Sequence, residues 1–103
     1  MNFITSTKVE STSLSTSATK IWSTNSSRVG IQIHASSNNG GNVLVTAVPE
    51  GASAPTLSVA TAMHELSAGQ TLEGDERFDH RVDVYVAMTS GTGAFNAYEV
   101  GNQ

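Results

Sequence analysis

The chain has 103 residues, no cysteine, and nine acidic against five basic residues for a formal charge of −4. That length fits one small domain rather than two halves around a deep cleft, and the lack of cysteine excludes a disulfide framework, a thiolate metal site and a cysteine nucleophile. Charged residues are only 14% of the total, and the five cations (Lys8, Lys20, Arg28, Arg77, Arg81) form no basic stripe, so no nucleic-acid partner is expected.

The start, Met1-Asn2-Phe3-Ile4-Thr5, has neither the charge nor the apolar stretch of a signal peptide. No run approaches the about 18 consecutive apolar residues of a membrane span, so a soluble, cytoplasmically made chain with no membrane partner is expected. Within residues 1–17, Ser11, Ser13, Ser15 and Ser17 then alternate with Thr12, Leu14 and Thr16, leaving few apolar anchors. Such a segment buries little of its own surface. It is expected to be an extended N-terminal arm, with residues 18–103 forming the folded domain. Phe3, Ile4, Val9 and Leu14 are its candidate contacts, through which the arm adds to a neighbouring subunit or a shell.

Trp22 is the one large anchor of the N-terminal third, and Asn25-Ser26-Ser27 reads as a turn. Val29, Ile31, Ile33 and Ala35 alternate with Arg28, Gly30, Gln32 and His34, which predicts a half-buried strand with the first set inward. Asn38-Asn39-Gly40-Gly41 predicts a hairpin, since Asn-Gly favours positive φ. Val43-Leu44-Val45 up to Val48 reads as a central strand. The stretch Pro49–Pro55 reads as a longer crossover, because proline has no place in a central ladder. Ala60–Leu66 is a short, uncapped helix candidate better taken as strand. Val82, Val84, Val86 and Met88 alternate with Asp83, Tyr85 and Ala87 in another half-buried strand. Ser90–Gly93 predicts a second hairpin, leading to a last strand in which Phe95, Ala97 and Glu99 alternate with Asn96, Tyr98 and Val100. Together these predict an all-β fold, an antiparallel β-sandwich of jelly-roll or immunoglobulin-like type with roughly seven or eight strands.

Five of the nine acids fall within residues 73–83. Asp75, Glu76 and Asp79 are candidates for contact with a basic partner patch. The spacing departs from an EF-hand, and Arg77 and Arg81 are placed to balance the carboxylates, so no metal is assigned. His64-Glu65 lacks the second histidine of a zinc-protease helix, because Ala68 stands there. No Gly-x-Ser-x-Gly elbow or phosphate loop is present, so no catalytic residue, no enzyme activity and no cofactor are expected. Trp22, Tyr85 and Tyr98 are candidate rings for a stacked sugar, which keeps a carbohydrate-binding module as an alternative.

The order Asn25-Ser26-Ser27-Arg28, Val29–Ile33, Asn42–Val45, Leu66-Ser67-Ala68-Gly69, Val82–Ala87, Ser90-Gly91-Thr92 and Ala97–Val100 resembles the small β-sandwich proteins associated with tailed-bacteriophage virions. Their pattern runs N-x-x-R, strand, hairpin, strand, L-x-x-G, strand, V-Y-A, turn, strand, E. The resemblance covers about residues 20–100 by pattern rather than identity; His34-Ala35 and the Ser/Thr-rich start depart from it. It implies a capsid decoration or cement protein located in the virion, with the major capsid protein or another virion protein as partner. It also implies a homo-oligomer, with a homotrimer the commonest arrangement. A component of a head or tail fibre is the alternative it leaves.

Overall fold

In the computed structural model, which describes residues 4–26 and 28–102, the chain is all-β. Its described strands are β1 (Ile4–Leu14), β2 (Thr19–Trp22), β3 (Arg28–Ala35), β4 (Val43–Pro49), β5 (His64–Leu66), β6 (Thr71–Glu73), β7 (Val82–Met88) and β8 (Gly93–Asn102). They form two antiparallel sheets, ordered β1-β8-β3-β6 and β2-β7-β4-β5. One rule generates the pairing: β1 with β8, β2 with β7, β3 with β6 and β4 with β5. It is the pattern of one long ribbon folded over on itself, with β3–β8 and β4–β7 closing the sheets. Of the two sandwich types expected, this is the jelly roll.

The topology corrects both predicted hairpins. Strands β3 and β4 lie in different sheets, as do β7 and β8, so residues 36–42 and 89–92 are arches across the sandwich. Small polar residues and glycine serve an arch as well as a hairpin, which is why local turn chemistry did not separate them. Gly40 is not among the glycines with positive φ. The need for glycine falls instead on Gly41, where a Cβ would lie 2.9 Å from Ser90 Oγ and 3.0 Å from its carbonyl oxygen. Asn39 clamps this arch to the start of β8, its Oδ1 accepting the Ala94 N–H at 2.8 Å and its Nδ2 donating to the Ala94 carbonyl at 2.9 Å.

Between the sheets lie Ile31, Ile33 and Ala35 of β3, Val43 and Val45 of β4, Val84, Val86 and Met88 of β7, and Phe95 and Ala97 of β8. Each set keeps the two-residue period of a pleated strand. Leu14, Trp22, Leu66, Leu72 and Phe78 complete the core. Two features depart from simple alternation. Strand β7 is buried on both faces, Asp83, Tyr85 and Ala87 included. It is central in its sheet, and the long connection between β4 and β5 brings Leu57, Ser58 and Val59 to a hollow shared with Leu44 on the sheet's outer side. Strand β3 carries a bulge: its register against β8 shifts between Arg28 and Gly30. The extra residue reverses the phase, so Val29 is 59% exposed and Arg28 only 2%. The sequence pattern predicts the opposite for both.

Candidate functional site

The acidic stretch is the connection that carries the chain from β6 in one sheet to β7 in the other. It is built from a repeated Asp-x-Arg unit. Asp75 Oδ1 accepts the Arg77 N–H at 2.9 Å, and Asp75 Oδ2 accepts from the Arg77 guanidinium at 2.7 Å. Four residues on, Asp79 does the same with Arg81, at 2.9 Å and 2.6 Å. An aspartate that accepts the N–H two residues ahead closes a local turn, and an arginine at that position adds its charge. His64 Nε2 also donates to Asp75 Oδ2 at 2.6 Å, which ties the loop to β5. Between the two units Phe78 enters the core at 1% exposure, its ring centroid 5.9 Å from that of His64.

These contacts set the electrostatics. The Arg77 guanidinium holds the Asp75 carboxyl well below the usual carboxylate range, with burial opposing and the His64 bond assisting. Arg81 holds Asp79 at about 2. The carboxylates proposed from sequence as partner contacts are therefore spent largely inside the loop. Of Asp75, Glu76 and Asp79, only Glu76 is exposed, the other two being half-buried. Among the described residues no group of three His, Asp or Glu side chains is arranged to hold a metal ion.

The end of the loop is fastened by Arg28, turned inward by the bulge. Its guanidinium donates to Glu99 Oε2 twice, from Nε at 2.9 Å and from Nη2 at 2.7 Å. It also donates to the carbonyls of Asp79 at 2.6 Å, Val82 at 3.0 Å and Ser23 at 2.7 Å. All five N–H donors of an arginine are thereby used. Asn25 Nδ2 donates to the other oxygen of Glu99 at 2.7 Å, and the Trp22 ring lies 5.9 Å from the guanidinium carbon. Beside this knot Asp83, 3% exposed, accepts from the Thr24 N–H at 2.7 Å and its hydroxyl at 3.1 Å. Burial pushes the Asp83 carboxyl up, but the Thr24 bonds, the Gly51 N–H and Lys20 together bring it below its ordinary value. The Asn, Arg and Glu quoted in the phage-protein pattern meet here as one buried cluster, a structural role that spacing along the chain did not reveal.

The N-terminal candidates are placed differently from the expectation. Phe3 lies outside the described residues. Ile4 and Val9 belong to β1, opposite Asn102 and Ala97 of β8. Leu14 is 4% exposed and part of the core, so it is engaged within its own chain. Over residues 4–14 the expected arm is thus an edge strand. The physical reason matches the one that favoured strand addition to a neighbour: ladder hydrogen bonds hold a Ser/Thr-rich segment without side-chain burial, and the ten-residue β8 supplies that ladder. An open hollow of about 320 Å³, lined in part by Glu10, Ser13, Leu14, Lys20 and Phe95, separates the edges β1 and β2.

The aromatic platform is overturned. Trp22 and Tyr85 are each 5% exposed, which leaves their faces closed to a sugar, while Tyr98 stands 36% exposed on the outer face of its sheet.

No protein-family model and no curated protein matches the chain. Solved structures do. A chain from the disulfide-linked pili of Bacillus endospore appendages is similar with a TM-score of 0.61 at 15% identity, over 97% of this chain and 87% of the other. The SPBc2 prophage-derived protein YomS is similar with a TM-score of 0.58 at 15% identity, over 96% of both chains. A chain of the cyanophage Pam1 capsid aligns over 98% of this chain and 84% of its own, with a TM-score of 0.40 at 12% identity. At such identities the first two likenesses establish a shared fold and nothing finer.

Proposed function

We propose that this chain is a structural subunit of a phage-type virion, a decoration or cement protein that binds the assembled head and braces it, with the major capsid protein as its partner. It works without catalysis or a cofactor. One observation carries the reading: the clustered charges of the loop and of β3, β7 and β8 are engaged in holding the protein's own loops, in a chain rich in Ser and Thr of which charged residues are only 14%. Such a composition suits protein–protein packing, where charge is depleted at the centre of contacts. The fold likeness to a prophage-derived protein supports the same assignment. Glu76 is the part of the acidic set left to meet a basic patch on the shell. The resemblance in sequence pattern implies a homotrimer.

The likeness to a pilus chain favours a second reading, a subunit of a fibre or other appendage. A chain without cysteine joins such an assembly without disulfide links. Mass spectrometry of purified particles with copy counting separates the two. Hundreds of copies per particle are expected for a head protein and tens for a fibre, and absence from the particles would overturn both.

A further inference from the structure

Four strands border the two sheets: β1 and β6 on one, β2 and β5 on the other. Strands β5 and β6 have three residues each, and β2 has four with a register shift within it. Short or irregular edges of this kind offer a neighbour little to pair with. Strand β1 is different. It runs for 11 residues without proline and keeps regular register with β8 from Ile4 to Ser11. Among the described residues no strand pairs with its other side. A long regular edge presents a row of backbone donors and acceptors ready for another strand.

We propose that this edge is an interface between two copies of the chain, β1 against β1, antiparallel about a two-fold axis at Val9. The sequence of the strand, Ile4-Thr5-Ser6-Thr7-Lys8-Val9-Glu10-Ser11-Thr12-Ser13-Leu14, mirrors itself in chemistry about that residue. Antiparallel pairing about a two-fold axis sets each residue opposite its mirror position. Lys8 of each copy then falls opposite the partner's Glu10, and the contact occurs twice. Thr7 falls opposite the partner's Ser11, a hydroxyl pair favourable across strands.

Charge selects this register over its neighbours. A two-fold axis between residues would match side chains from opposite faces of the sheet, so only registers centred on a residue are open. Centring on Lys8 sets lysine against lysine, and centring on Glu10 sets glutamate against glutamate. Only the Val9 centre turns both charges to advantage. In their own sheet Lys8 and Glu10 pair with Tyr98 and Asn96, which are exposed residues of β8. Glu10 is itself exposed, and none of the core residues is among these positions. The contact is isologous: the same patch serves both copies, which yields pairs rather than rings. It rests on the proposed structural role for its purpose and would give that role a self-association step.

Sedimentation velocity on the intact chain, on Lys8→Glu, on Glu10→Lys and on an equal mixture of the two variants tests the interface, with circular dichroism as a check on the fold. The wild type should form a dimer. Each reversal alone replaces two attractions with two repulsions and should weaken self-association roughly thirty-fold. The mixture restores both attractions in a heterodimer and should recover wild-type affinity. Unchanged association in both reversals, a mixture no tighter than its components, or a wild type that stays monomeric would each overturn the interface. None of those results bears on the virion reading, which falls only if the protein is missing from purified particles.

Discussion

Arg28 is a charge taken out of water, and its effect on stability depends on every donor being met. Removing a charge from water costs several kcal/mol, repaid only when the partners are complete. Here a carboxylate and three carbonyls from Ser23, Asp79 and Val82 complete them. Replacing Glu99 with glutamine keeps the shape but leaves the guanidinium without a counter-charge, and should cost about 3–5 kcal/mol in urea unfolding. A midpoint within error of wild type would show that the knot contributes little. Part of this arrangement is legible in the chain: Glu99 falls in phase with Phe95 and Ala97, so strict alternation turns it inward, and a buried acid needs a partner. Arg28 is not legible in the same way. Its inward turn depends on one extra residue at Val29, and a bulge has no signature in the period that it interrupts.

Among the elements, β3, β7 and β8, which have a strong two-residue period, and β4, a largely apolar run, emerge from sequence close to their observed bounds. Which strands share a sheet does not. The arch at 36–42 and the one at 89–92 use residues that also make hairpins, and only pairing between distant strands decides between the two. Strand β1 shows the same gap. Its Ser/Thr composition suggests a segment in search of a partner, and the partner is β8 of the same chain, 98 positions away at one end of the pairing (Ile4 and Asn102) and 79 at the other (Leu14 and Gly93). Deleting residues 1–17 is therefore expected to harm the fold itself. The deletion bares β8 along its length and takes Leu14 out of the core, where Leu14→Ala alone should cost about 2–5 kcal/mol. A truncated chain that unfolds at the wild-type urea concentration would return the segment to the role of a dispensable arm.

At the scale of the whole molecule, charge is unevenly distributed. Charged residues are few, and Asp75, Asp79, Asp83, Arg28 and Glu99 gather around the β6–β7 connection and the strands that receive it. That end joins the two sheets, so its protonation bears on the cooperative unit and not on one loop. The carboxyls of Asp75, Asp79 and Asp83 all lie below their ordinary values in the folded chain. A carboxyl that is more acidic folded than unfolded binds its proton first in the unfolded chain as pH drops, so acid favours unfolding. The stability that these groups contribute is complete above the unfolded carboxylate range near pH 4 and drains away below it. Asp83 is enclosed by the Thr24 bonds, whereas the arginine beside Asp79 is open to solvent screening. Urea midpoints should accordingly be level between pH 7 and about 5 and fall between about 5 and 3, with a shallower fall in Asp83→Asn, which retains an acceptor for Thr24 but has no proton to take up. A wild-type midpoint that holds or rises on going from pH 5 to pH 3 would mean that this end of the sandwich is held by its packing, with Phe78 and Trp22 rather than the carboxylates fastening the two sheets.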